Sequence, residues 1–233
     1  MPKKTVGEIG PFRITGGEAG AERIKADLPT DKEELEQFFA GRFSDAFNRQ
    51  RTMPGVEITN LRQQDTSDLD FRIDCSRATY LELAELTPLS EAFGRAGRAS
   101  GSFNTLEYAT WIYEQVIKAK SDKYGETSRE TFLLLYPTHS QFVPGQTLLQ
   151  CLRSLCFWRG SKFAAIFTFT TSGGAPDQAI EIITRITPIS PPWPPKPDVF
   201  KDHQFWNLMD MAQITETGVS VAMSALDLPT NPR

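Results

Sequence analysis

Apolar residues recur at helical spacing in three stretches of the chain and in short unbroken or alternating runs elsewhere. Leu35, Phe38, Phe39, Phe43, Ala46 and Phe47 follow Thr30, with Glu33 three residues after it completing a capping box. The pattern predicts an amphipathic helix of about four turns, stopped by Pro54-Gly55. A second helix is predicted over 104–124 from Leu106, Ala109, Tyr113, Val116 and Ile117, and a shorter one over 148–157 from Leu148, Leu149, Leu152 and Leu155. Phe12–Thr15 reads as a short strand, and Val56–Leu61 as a strand or its lead-in. Thr131–Tyr136 is a continuous apolar run closed by Pro137, which suits a central strand buried on both faces. Phe163–Thr171 reads the same way, and Ala179–Ile186 as one strand more. Beyond Pro188 the prolines and Trp193 predict an extended segment, then a short helix over 204–213 and a frayed end.

Between the first two helices lies a hairpin, Asp68–Ile73 and Thr79–Leu86, turned at Asp74–Arg77. Acids stand in or beside both strands, at Asp68, Asp70, Glu82 and Glu85. Strands are depleted in Asp and Glu, so something must compensate the charge: a cation, a basic partner or an open solvated face. The alternation puts Leu81, Leu83 and Glu85 on one face and Tyr80, Glu82, Ala84 and Leu86 on the other. Lys120 lies seven residues after Tyr113 and four after Val116, on the apolar face of its helix, whereas Lys118 points elsewhere.

The order helix, strand, strand, helix, strand, helix, strand predicts an α/β (α+β) fold. Its central mixed sheet would have four to five strands, flanked by helices. Three segments are expected: an N-terminal extension over 1–29, the α/β domain over 30–187, and a Pro/Trp-rich C-terminal tail over 188–233. Sixteen Phe and four Trp supply the core. The net charge of −4 speaks against a chain coated wholesale by nucleic acid but leaves room for a local basic groove. Cys75, Cys151 and Cys156 have no CxxC or Cys/His spacing, so a structural zinc is not expected and free, buried thiols in a reducing compartment are. There is neither an apolar leader nor a run long enough for a membrane span, and a cytoplasmic protein is the expectation.

Several chemistries are poorly served. The two histidines, His139 and His203, have no GxSxG serine to pair with. Ser172-Gly173-Gly174 lacks the ending of a phosphate loop, and no GxGxxG follows a strand.

Asp70 in Asp-Leu-Asp-Phe-Arg-Ile and Glu82 in Tyr-Leu-Glu-Leu-Ala-Glu-Leu, on successive strands after a helix, resemble the PD-(D/E)xK nuclease superfamily, with its restriction-endonuclease-like fold, over residues 31–171. In that family an Asp on one strand and an acid on the next hold a divalent metal, and a Lys two residues after the second acid assists the attacking water. Here that place holds Ala84. Some branches are similar in moving the Lys to the next helix, which makes Lys120 the migrant. The resemblance implies phosphodiester hydrolysis with Mg²⁺ (or Mn²⁺), held by Asp70, Glu82 and also Glu85, with the Leu83 carbonyl as an added ligand. Lys120 would assist, and Arg95 and Arg98 of the Gly-rich loop would hold the nucleic-acid backbone, DNA being the first expectation.

Each residue also has a plainer account. Asp70 as a strand-end acid, Lys120 as a snorkelling helix-end lysine, and Arg72 and Arg77 as neutralisers of the hairpin acids would make the cluster structural. The alternative function is then a nuclease-like fold without catalysis, serving as an interaction or assembly module with a protein partner or a second copy of itself.

Overall fold

The computed structural model describes residues 12–17, 20–25, 29, 31–64, 68–86, 101–137, 145–172, 180–207, 212–215 and 218–221. A mixed six-stranded sheet runs through the middle, in the order β3-β4-β5-β7-β8-β9. Its strands are β3 (Asn60–Gln63), β4 (Phe71–Asp74), β5 (Tyr80–Leu86), β7 (Thr131–Pro137), β8 (Ala165–Ser172) and β9 (Ile180–Thr187). The first three are antiparallel, β5, β7 and β8 are parallel, and β9 returns antiparallel at the edge. Six strands exceed the four to five expected.

Helix α1 (Lys32–Arg49) covers one face. Its cap is Asp31 and not Thr30: the Asp31 carboxylate accepts from the Glu33 and Glu34 amides at 2.9 and 3.2 Å. Leu35, Phe39, Ala40, Phe43, Ala46 and Phe47 are all buried, against Phe71, Leu81, Leu83, Phe132, Leu134 and Phe167 of the sheet. Each buried phenylalanine contributes roughly 1.5–3 kcal/mol of transfer free energy. Asn48 ties the helix to the lead-in of β3, accepting from the Ile58 amide at 2.9 Å and donating to its carbonyl at 2.8 Å. At the far end, Arg42 and Arg49 clamp Glu181 of β9, each at 2.5 Å.

The other face carries α2 (Thr105–Ile112), α3 (Ala119–Tyr124) and α4 (Gln146–Arg159). The single helix expected over 104–124 is a continuous coil whose middle, Tyr113–Lys118, widens into a π-helical turn. Thr131–Tyr136 is buried throughout, as its unbroken apolar run requires.

Residues 188–200 lie on α4. Trp158 Nε1 donates to the Pro194 and Pro195 carbonyls at 3.3 and 3.1 Å, Ser154 Oγ donates to Pro195, and Trp193 stacks on Phe157 with ring centroids 5.3 Å apart. The described residues of the helix expected over 204–213 are strand. β10 (Gln204–Asn207) instead pairs antiparallel with β6 (Gly101–Asn104), and β11 (Ala212–Thr215) with β12 (Gly218–Val221). β1 (Phe12–Gly17) pairs with β2 (Gly20–Lys25). Cys151 and Cys156 are buried thiols and Cys75 is half-buried. No described helix is long and apolar enough to cross a membrane.

Candidate functional site

The antiparallel ladder between β4 and β5 is short. It pairs Phe71 with Leu81 and Arg72 with Tyr80 and then stops. Continued by one step it would bring Asp70 opposite Glu82. The strands part there, and the two side chains take over the unmet amides. Asp70 Oδ2 accepts from the Leu83 amide at 2.7 Å, and Glu82 Oε2 accepts from the Asp70 amide at 3.2 Å. Two carboxylates thus stand at the fork of the sheet, bonded to each other's strands.

Glu82 is 2% exposed. A carboxylate so desolvated needs partners, and α3 supplies two: Lys120 Nζ donates to Oε1, and the Tyr124 hydroxyl lies 2.7 Å from the same oxygen and 3.1 Å from the Asp68 carbonyl. Lys120 and Tyr124 are one helical turn apart, which is why both reach one atom. Lys118 turns outward to pair with Asp122 at 2.5 Å.

A third acid comes from the opposite side. Glu36 of α1 is 7% exposed and pairs with Lys32 at 3.0 Å. Burial, then the charges of Glu82 and Glu36, push the Asp70 carboxyl up to about 7, against the Leu83 amide and Lys120, which pull it down. Burial works against the Lys32 ammonium, and Glu36, Asp70 and Glu82 together overcome it and raise its pKa. Burial and then the Glu82 hydrogen bond raise the Tyr124 phenol, and burial followed by Glu36, Glu85 and Asp70 raises that of Tyr136.

Asp70, Glu82 and Lys120 are therefore brought together. Glu85 follows Leu81 and Leu83 onto the α1 face, across the strand from Glu82, and is in register with Tyr136. Arg95, Arg98 and His139 lie outside the described residues. Arg72 and Arg77 make no ion pair among the described residues; Lys120 meets the charge of Glu82 and Lys123 that of Asp68, at 3.3 Å. His203 bonds Thr105 through Nδ1 at 2.6 Å, away from the fork.

Comparison with known protein families, curated proteins and solved structures finds no match. Among the described residues no group of three or more His, Cys, Asp and Glu could hold a metal ion. Asp70 and Glu82 make a pair only, but Mg²⁺ commonly takes just one or two protein carboxylates and keeps its waters. Asp70 Oδ1 accepts no hydrogen bond among the described residues, so one carboxylate oxygen at the fork has its lone pairs available. Both oxygens of Glu82 already accept, Oε1 from Lys120 and Tyr124 and Oε2 from the Asp70 amide, so a hard cation would meet one unbonded carboxylate oxygen here and would have to compete for the others.

The sequence pattern missed Glu36, Lys32 and Tyr124. A signal for Glu36 was present: Phe39, Ala40 and Phe43 stand three, four and seven residues after it, which places the acid inside the buried stripe.

The raised Asp70 carboxyl has a stability consequence. Between the ordinary aspartate value, about 3.9, and its own, the folded chain binds more protons than the unfolded one. Stability therefore falls as pH rises through that window and levels off above it. Asp70→Asn keeps an oxygen for the Leu83 amide and removes the charge. Above the window it should stabilise by about 2 kcal/mol, at ~1.4 kcal/mol per unit discounted for partial solvent access; below the window it should change little. Thermal melts across pH would show this, and a variant no more stable than wild type in alkali would contradict it.

Proposed function

We propose that this chain is a metal-dependent nuclease with a restriction-endonuclease-like core, hydrolysing phosphodiester bonds of nucleic acid, DNA first. The observation that supports it most is the pair of carboxylates, Asp70 and Glu82, crossing the parted ends of β4 and β5 with Lys120 seated on Glu82.

A bound Mg²⁺ or Mn²⁺ would lower the pKa of a coordinated water and offset the charge that builds on the phosphate. Asp70 Oδ1 and Glu82 would hold it, and the Leu83 carbonyl stands beside them on β5. Lys120, 29% exposed at its side chain, reaches solvent as well as Glu82, and its ammonium would steady the attacking water or the scissile phosphate. The charge of Glu36 helps to keep the Asp70 carboxyl protonated, so that Asp70 would ionise fully when a cation arrives.

The test is cleavage of single-stranded and duplex DNA by the wild-type protein with Mg²⁺ or Mn²⁺ and with chelator. Cleavage should require the metal and rise with pH as Asp70 loses its proton near 7. Metal-independent cleavage, or none, would overturn the proposal.

One feature favours the second reading, a non-catalytic interaction module: Ala84, where the motif lysine would stand, is buried among Leu86, Leu133 and Leu135. Nucleic-acid or protein binding without hydrolysis would decide for it.

A further inference from the structure

The face of the sheet that carries Glu82 is covered unevenly. α2, α3 and α4 lie over β5, β7 and β8, but the hairpin β3–β4 projects beyond them. On that wing, which no described helix covers, Arg62 stands directly opposite Arg72, and Asn60 opposite Asp74. Arg72 is in turn opposite Tyr80. Residues paired across a ladder share a face, so Arg62, Arg72 and Tyr80 form a row across three strands. Glu82, two residues beyond Tyr80, is on the same side.

Both arginines are exposed, and neither has an ion pair or hydrogen bond among the described residues. Asp74 does not neutralise them; its carboxylate accepts from the Asn60 amide nitrogen at 3.1 Å. With Asn60, the two arginines and Asp74 line a cavity of about 180 Å³. Like charges directly opposite on a ladder are destabilising. Two guanidiniums kept in that position, beside a fork of acids that already has its own lysines, present a planar, multi-donor surface suited to oxyanions.

We propose that Arg62 and Arg72 form a phosphate-binding row that holds the backbone of a nucleic acid as it enters the fork between β4 and β5. This rests on the reading of the chain as a nuclease-like protein. The row supplies affinity and register without reading bases. It also sets the direction of approach, from the β3 edge across β4 toward Glu82, along the side that α3 leaves open. The net acidic charge of the chain is no obstacle, because the row is local and binding releases counterions from the nucleic acid.

The experiment is fluorescence anisotropy with a short labelled DNA duplex, in Ca²⁺ to hold back cleavage, over a series of salt concentrations. Wild type is compared with Arg62→Ala/Arg72→Ala and with Arg62→Lys/Arg72→Lys. The alanine pair should bind about 10- to 100-fold more weakly at low salt, with a salt slope reduced by about two. Its melting temperature should equal or exceed that of wild type, since it loses a like-charge contact. The lysine pair should recover most of the slope. An alanine pair with wild-type affinity and slope overturns the inference and leaves the nuclease reading standing. A wild-type protein that neither binds nor cleaves DNA overturns both.

Discussion

Glu82→Ala is expected to lower metal-dependent cleavage by about 10³-fold. A cation at a reacting phosphate supplies several kcal/mol, at ~1.4 kcal/mol per decade, and Glu82 is one of the two acids proposed to hold it. The effect should appear in turnover at saturating metal as well as in metal affinity. Truncation also frees Lys120, Tyr124 and the Asp70 amide at once. Lys120 and Tyr124 are half-buried and can turn to water, so the loss of stability should stay near 1–3 kcal/mol and the protein should remain folded. The Asp70 carboxyl should titrate lower in the variant, because a charge that raises it is gone. Equal cleavage by the two proteins would remove Glu82 from the reaction.

Phe167→Ala should have the largest effect on folding. Phe167 is fully buried on β8 under α1, with ring centroids 5.4 Å from Phe43, 5.6 Å from Phe47 and 5.4 Å from Phe132. Those rings belong to a helix and a neighbouring strand that cannot all move into the gap. A loss of about 3–5 kcal/mol follows, out of the roughly 5–15 kcal/mol that a domain has, and a melting temperature lower by about 10 °C. Urea unfolding would measure it, and a loss below about 1 kcal/mol would mean that the α1 face collapses to fill the void. The residue lies two strands from the fork, so the folded fraction should keep whatever activity wild type has.

What could be read from the chain beforehand follows the range of the interactions. α1 and the strand at Thr131 were legible because their patterns are local: a phenylalanine stripe at helical spacing and an unbroken apolar run. The hairpin acids stood out because they break strand composition, and Lys120 because a lysine on an apolar stripe is conspicuous. The helix expected over 204–213 failed for the opposite reason. Gln204–Asn207 is a strand because Gly101–Asn104, about a hundred residues earlier, pairs with it, and no local pattern encodes a partner that distant. The cap at Asp31 was misplaced by one residue because Thr30 satisfies the same rule. Glu36 was overlooked because a single acid in a strong helix reads as surface. Its place in the buried stripe, three, four and seven residues before Phe39, Ala40 and Phe43, marked it all the same.

The π-helical turn at Tyr113–Lys118 bears on how this helix tolerates changes of length. Such a turn accommodates a longer loop of backbone than an α-helical one, so it acts as slack between two anchored ends, the α2 stripe packed under α4 and the α3 pair seated on Glu82. Elsewhere along an α-helix each residue advances the following side chains by about 100°, and a gain or loss would swing Lys120 and Tyr124 off the carboxylate. Within 113–118 the winding itself can take up the difference. The phase of the helix, set over 113–118 just ahead of Lys120 and Tyr124, is what delivers the Lys120 ammonium to the fork.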